Sequence, residues 1–468
     1  MRVVLADLKG YGGFVNKDTI AGGYGSRFRG ISTTTCIIER MRKFYQNLPS
    51  IQLGYLAAIF TEAGHEVKVT EGKFVDGDLA LVLTSIVDYR HEIQWAEETK
   101  RRFGTPVGFY GTFATHIPEK LVGHGDFIIK GEPEHAAMRL ANGEILSGTA
   151  ISPALQDLDS LPFPRWDLVS RHYYGHSHGR SMLPARSTFP VLTSRSCPEF
   201  CTYCPHRITA EYRSRSPQNV LDELERLCRN YAKPFLIFRD PLFTEERERS
   251  TAIAEGILRR KLRVRFECET RLDNLDKDLL DLLHRAGLRA MTFGIESMDP
   301  ATLKRVGRRP IPPAHQKDII SYCRKKGIST HGFYVFGFLT DTVESIQATI
   351  DYAIDLDTTM ALFKILTPYP GTPLRKQMDA LIAETDLEKF DGYTPTFRHP
   401  NLSNDQLLYL LKSAYARFYM RPSWGWSYLG LPNVFGEMVQ RWDAYARRRQ
   451  LENDIAYFMS QEPKAGNS

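Results

Sequence analysis

Cysteine is scarce, seven in 468 residues, and an odd number with three inside eight positions suits a metal site in a reducing compartment better than a disulfide framework. No apolar run reaches the roughly 18 residues that cross a bilayer. The opening MRVVLADLKG carries charges and a glycine where a secretory leader keeps its apolar stretch. A cytoplasmic location without a membrane partner is the expectation. Neither sign of charge dominates, because 61 Lys and Arg against 55 Asp and Glu leave only +6. That charge is spread along the chain, apart from short clusters such as Arg308-Arg309 and Arg447-Arg448-Arg449. A nucleic-acid binder concentrates its basic residues on one module, so nucleic acid is not an expected partner. Internal repeats are missing too, and the polar tail PKAGNS is the one low-complexity stretch.

The length exceeds what one ordinary core supports and calls for two or three domains. Over residues 1–150 short apolar runs (VVLAD, LALVLTS, TPVGFYG, DFIIKGEPE) alternate with amphipathic stretches. This α/β rhythm predicts a Rossmann-like, doubly wound domain with a parallel sheet. Residues 151–187, with prolines at 153, 162 and 164, read as a linker laid over a domain surface. From 188 to 380 six strand-like runs, from FPVLTSRS to MALFKILTPYP, alternate with helical spacing in VLDELERLC, LDKDLLDLLHRAG and HQKDIISYCRKKG. They predict a (β/α)6 partial TIM barrel whose active site lies at the C-terminal ends of its strands. Residues 381–468 read as a mostly helical C-terminal domain that caps the barrel.

Three of the cysteines, Cys197, Cys201 and Cys204, fall in SRSCPEFCTYCPHR with C-x3-C-x2-C spacing, directly after a predicted strand. Thiolates on so short a loop suit three corners of an iron-sulfur cube and leave the fourth iron open for a ligand. The alternative is a structural zinc site of the three cysteines with His206, but zinc sites pair their ligands and no second pair lies nearby. Cys36, Cys228, Cys268 and Cys323 are scattered and read as ordinary small side chains.

The spacing, with Tyr203 just before the last cysteine, resembles the signature of the radical S-adenosylmethionine superfamily. That resemblance implies an enzyme with a [4Fe-4S] cluster whose open iron chelates S-adenosylmethionine and whose electron releases a 5'-deoxyadenosyl radical. It implies further cofactor contacts at Glu269 of FECETR, at Glu296 of GIES, at Arg308 and at Asp240 of FRDPLF. Each also has an ordinary reading as a solvated or surface-paired charge. The Pro-Gly pair of TPYPGTPL reads as a turn.

Residues 52–134 are similar to the cobalamin-binding domain that precedes the barrel in many such enzymes. No D-x-H-x-x-G motif supplies a lower axial histidine, and His65 reads as structural. Tyr110 and Phe113 stand where bulky rings could fill the space of a corrin. The Gly-rich, basic segment 10–45 contains GGYGSR but lacks the ending and the strand-to-helix context of a P-loop, so it reads as a lid or substrate loop.

The resemblance leaves two reactions in competition. One is cobalamin-dependent methylation of an unactivated carbon or phosphinate. The other is cobalamin-independent dehydration of an aminosugar diol, or cyclisation, with Tyr212 and Tyr334 as candidate proton donors. Sulfur insertion into tRNA is excluded, since relatives need a second cluster and no cysteine lies beyond Cys323. A non-catalytic iron-sulfur or corrinoid sensor is the non-enzymatic alternative. A small biosynthetic molecule is the expected substrate, with flavodoxin or ferredoxin as electron donor. The aromatic stretch with Trp424, Trp426 and Tyr428 suits either stacking on a substrate or core packing.

Overall fold

The computed structural model describes residues 1–10, 12–17, 23–45, 48–169 and 188–421. Two six-stranded parallel sheets organise them. The first contains β1 (Arg2–Ala6), β4 (Glu66–Thr70), β5 (Leu79–Leu83), β6 (Val107–Tyr110), β7 (Phe127–Gly131) and β8 (Gly148–Ser152), in the order β4-β1-β5-β6-β7-β8. A hairpin of β2 (Phe14–Asn16) and β3 (Ser26–Phe28) is inserted after β1. The runs LALVL and VGFY are buried along their whole length, as strands covered by helices on both faces must be.

The second sheet contains β9 (Thr188–Val191), β12 (Phe235–Phe238), β13 (Arg265–Thr270), β14 (Leu288–Glu296), β15 (Ser329–Phe336) and β16 (Met360–Ile365). A short hairpin of β10 (Ser194–Arg195) and β11 (Arg213–Ser214) follows β9. The order β16-β15-β14-β13-β12-β9 steps one way through the sequence, and β16 does not pair with β9. The six strand-helix units therefore wind into the open barrel that their spacing predicts. Helix Pro217–Asn230 is representative: Ser216 caps it through Asn219 N, Pro217 opens its first turn, and Val220, Leu221, Leu224 and Leu227 are buried.

The expected linker begins inside β8 and continues as a strap against helix Ile51–Glu62. A Cβ on Gly54 would lie 2.8 Å from Pro164 Cβ and 3.0 Å from the Trp166 ring, so the absence of a side chain there permits the approach. Helix Asn404–Tyr419, held by a capping box at Ser403 and Gln406, packs on β16. The predicted helical region beyond it, with Trp424, Trp426 and Tyr428, lies outside the described residues. One apolar cluster runs from Val3 and Leu81 of the first sheet to Phe363 and Phe418 of the barrel, so both sheets share a core. No described helix is long and apolar enough to cross a membrane.

Candidate active site

The three cysteines lie on the loop between β10 and β11, just past the C-terminal end of β9. Ser196 turns the chain with φ of 65°, and its hydroxyl donates to Ala210 O at 2.7 Å and His206 O at 3.1 Å, which closes the loop on itself. Two outside segments pin it: Thr202 N donates to Val306 O at 2.9 Å, and Leu374 N donates to Thr202 O at 3.0 Å. Gly371, with φ of 82°, forms the expected turn in TPYPGTPL that brings Leu374 there. Among the described residues no three His, Cys, Asp or Glu side chains converge on one ion position. A mononuclear zinc needs such convergence, whereas a cube binds each thiolate through a different iron. In the metal-free chain burial pushes the Cys197 thiol up to about 11 and Cys204 up to about 12. Metal ligation reverses that preference, because the cation stabilises the thiolate directly.

Beside the cysteines opens a chamber of about 190 Å3 whose wall includes Tyr203, Glu269, Gly294, Glu296 and Arg308. A register shift after Gly294 and a left-handed Glu296, φ 67°, end β14 in a bulge. Arg308 Nη2 donates to Gly294 O at 2.6 Å and stands 3.6 Å from Glu296 Oε1, while Nη1 reaches Cys201 Sγ at 3.9 Å. A Cβ on Gly294 would sit 2.1 Å from Glu296 Oε1 and 2.8 Å from Arg308 Nη2, so the bare glycine leaves room for both side-chain ends. Burial raises the Glu296 carboxyl, opposed by the charge of Arg308. Glu269 is ion-paired with Arg239, and the Tyr203 ring meets Phe338 edge-on at 5.6 Å. Carboxylates and a fork of donors around an open cavity suit the amine and carboxylate of an amino-acid cosubstrate.

A larger chamber of about 310 Å3 adjoins the first, and His206, Glu269, Thr292 and Phe333 line both. Its floor carries a polar cluster absent from the sequence expectations: Thr292 Oγ1 donates to Glu267 Oε1 at 3.0 Å, with His331 Nδ1 3.7 Å from the same oxygen. Its roof is the Gly-rich segment, through Gly23, Tyr24, Gly25 and Ser26. Tyr24 stacks on Tyr369 at 5.3 Å and donates to Pro370 O at 2.8 Å, and Arg27 ties the hairpin to Asp88 at 2.9 Å. Residues 23–28 thus form a strap tied to both the first domain and the barrel. Had the alternation of β13 to β15 been carried across the sheet, Glu267, Thr292 and His331 would have been legible as one inward stripe.

The C-terminal edge of the first sheet meets the barrel at Gly111, Thr112, Thr115 and Gly131, which face Arg195, His206 and Thr209. Tyr110 and Phe113 do not crowd this edge, contrary to expectation. Tyr110 is buried among the helices of the shared core, and Phe113 stacks on Tyr89 at 4.8 Å in a separate cluster. Glycine and threonine rather than aromatic rings therefore line this edge, where the resemblance to a cobalamin-binding domain would place a corrin.

Three other expectations change. Asp240 is fully buried beneath the loop, where Oδ1 accepts from Thr193 N and Oγ1 at 2.9 Å and from Ser194 Oγ at 2.6 Å, so it positions the chain ahead of Cys197 and lines neither chamber. Tyr334 points to the outer side of β15, stacked on Phe363 at 5.2 Å, because alternation turns His331 and Phe333 inward instead. Tyr212 donates to Glu246 at 2.7 Å on the β10–β11 loop and lines neither chamber. His65 is structural as expected, with Nε2 2.8 Å from Ala141 O.

Residues 191–353 match the radical SAM superfamily. An uncharacterized methyltransferase of Pyrococcus horikoshii is 26% identical over 80% of this chain and 88% of its own length. The anaerobic magnesium-protoporphyrin IX monomethyl ester cyclase of Cereibacter sphaeroides is 28% identical over 60% of this chain and 45% of its own, so the chain spans less than half of that relative. Among solved structures, the radical S-adenosylmethionine methyltransferase TsrM from Kitasatospora setae, with cobalamin and [4Fe-4S] cluster bound, superposes with a TM-score of 0.60 at 17% identity, covering 88% of each chain.

Proposed function

We propose that this chain, an enzyme carrying a radical SAM domain over residues 191–353, methylates carbon on a small molecule, with S-adenosylmethionine, a [4Fe-4S] cluster and cobalamin as its cofactors. The observation that carries the reading is the shared wall of the two chambers: a radical released beside Cys197, Cys201, Cys204, Glu296 and Arg308 has only His206, Glu269, Thr292 and Phe333 between it and the larger cavity. The cluster, when bound, supplies the electron that splits the sulfonium and frees the 5'-deoxyadenosyl radical. Cobalamin, when bound, supplies the methyl carrier, and the Gly111 to Thr115 edge would hold it beside the barrel.

The protein's own side chains orient and enclose. Arg308 and Glu296 present opposite charges to the cosubstrate's carboxylate and amine, and Glu269 adds a second carboxylate held by Arg239. The strap of residues 23–28 covers the larger chamber and limits the water that would quench a radical. The likeness to methyltransferases favours methylation over dehydration or cyclisation. So does the placement of Tyr334 and Tyr212 outside both chambers, which leaves the dehydratase reading without its proton donors. A flavodoxin or ferredoxin is the proposed electron donor, and the outer side of the cysteine loop, with exposed Phe200 under Arg207 at 3.8 Å, offers it a basic, apolar landing point.

The test is anaerobic reconstitution of the full chain with iron, sulfide and cobalamin, followed by reduction with S-adenosylmethionine present. The expected outcome is corrinoid absorbance together with 5'-deoxyadenosine and S-adenosylhomocysteine. Deoxyadenosine without corrinoid or homocysteine product overturns methylation, and the absence of both nucleosides overturns radical chemistry.

A further inference from the structure

The larger chamber holds two cations that the cofactor chemistry leaves unused. Lys364 stands on the inward side of β16, and Arg42 reaches in from helix Thr33–Tyr45 of the strap. Of the other charged groups of the chamber, Arg239 pairs with Glu269, and Glu267 accepts from Thr292 Oγ1 at 3.0 Å with His331 Nδ1 3.7 Å away. Neither Arg42 nor Lys364 has an acidic side chain within ion-pair distance among the described residues. Glu296 feels Lys364 only from further off and is itself held by Arg308 at 3.6 Å.

Both cations are aimed at one place. Arg42 Nη1 donates to the Tyr393 hydroxyl at 3.0 Å, and its guanidinium lies over Phe28 at 4.4 Å. Lys364 Nζ lies 5.9 Å from the centre of the same Tyr393 ring. Two half-buried positive charges that face one cavity without an adjacent acidic side chain among the described residues form a site that an anion brought by a ligand would neutralise.

We propose that the chamber binds a substrate through an oxyanion, a carboxylate or a phosphoryl group, held between Arg42 and Lys364 beside Tyr393. The guanidinium fork matches either group in bidentate fashion, and the ammonium adds a point charge. Neither the strap nor β16 belongs to the wall shared with the cofactor chamber, so the anion is anchored at the far side. The rest of the molecule then lies over Thr292 and Phe333, toward the cysteines. The inference rests on the larger chamber being the substrate's, but its test requires no turnover.

The experiment is calorimetric titration of the full chain, without cofactors, using inorganic phosphate in one arm and acetate in the other. Wild type is expected to bind one of them saturably, and the arm that binds identifies the group. Lys364→Met is expected to weaken that binding at least tenfold, while Lys364→Arg retains it and Lys68→Met, on the outer strand β4, leaves it unchanged. Arg42→Met is expected to act like Lys364→Met, with its melting curve taken alongside because Arg42 also packs on Phe28. No binding in either arm, or equal binding in wild type and Lys364→Met, overturns the proposal. Loss of 5'-deoxyadenosine formation would instead count against the radical reading and leaves anion binding standing.

Discussion

Arg195 Nη2 donates to Glu134 Oε1 at 2.8 Å, a contact across the two domains with only 8% and 0% of the side chains exposed. Its Nη1 donates to Glu132 Oε2 at 3.1 Å, and Arg213, on the paired strand β11, holds Glu132 as well. The acidic pair of the GEPE segment thus grips both strands that carry the cysteine loop.

Arg195→Met leaves Glu134 buried without its partner while Arg213 still holds Glu132, a loss of about 3–5 kcal/mol by analogy with broken buried ion pairs. Differential scanning fluorimetry is expected to show a lowered Tm, with iron content falling after reconstitution. The pair also sets a pH limit. Arg195 and Arg213 hold the Glu132 carboxyl below its usual range, outweighing the upward push of burial. Its contribution is therefore complete above the ordinary carboxylate range and lost as pH falls through the depressed value. Acid titration of Glu132→Gln is expected to lack that component.

Gly294→Ala places a Cβ where the Glu296 and Arg308 side-chain ends now lie, 2.1 Å and 2.8 Å away. Because those ends can swing aside, stability is expected to change by only about 1 kcal/mol. Cosubstrate affinity, read by equilibrium dialysis with S-adenosylmethionine, is expected to fall at least tenfold.

Arg308→Lys keeps a charge but loses the fork that joins Gly294 O, Glu296 and Cys201 Sγ. The expected result is a raised KM for S-adenosylmethionine with cluster iron unchanged. Iron lost in step with activity would instead make Arg308 a support of the cluster loop.

Tyr334→Phe removes a buried hydroxyl that has no hydrogen-bond partner among the described residues. Neutral or slightly raised stability is expected, since an unsatisfied buried hydroxyl is a cost. 5'-Deoxyadenosine formation is expected to stay within about twofold of wild type, because Tyr334 points away from both chambers. Tyr212→Phe loses the bond to Glu246 and is expected to cost about 1 kcal/mol.

Local information settled part of this molecule. The spacing of Cys197, Cys201 and Cys204, the period-two and helical patterns, and the one-way series of strand-helix units are properties of neighbouring residues, and each was legible without coordinates. The inward stripe of Glu267, Thr292 and His331 was not, because it needs the register between strands and the bulges near Glu267 and Glu296 that shift it. For the same reason Tyr334 looked available and proved to be packing, and Asp240 looked like a cofactor contact and proved to hold the turn before the cysteines. Tyr110 and Phe113 likewise turned out to face the helices. Sequence alone determined the cluster loop and the class of fold, since hydrogen-bonding periodicity and ligand spacing act over a few residues. Only tertiary structure decided that residues 23–45 and Lys364, more than 300 positions apart, enclose one chamber, because burial and the pairing of charges are set by what the folded chain brings together.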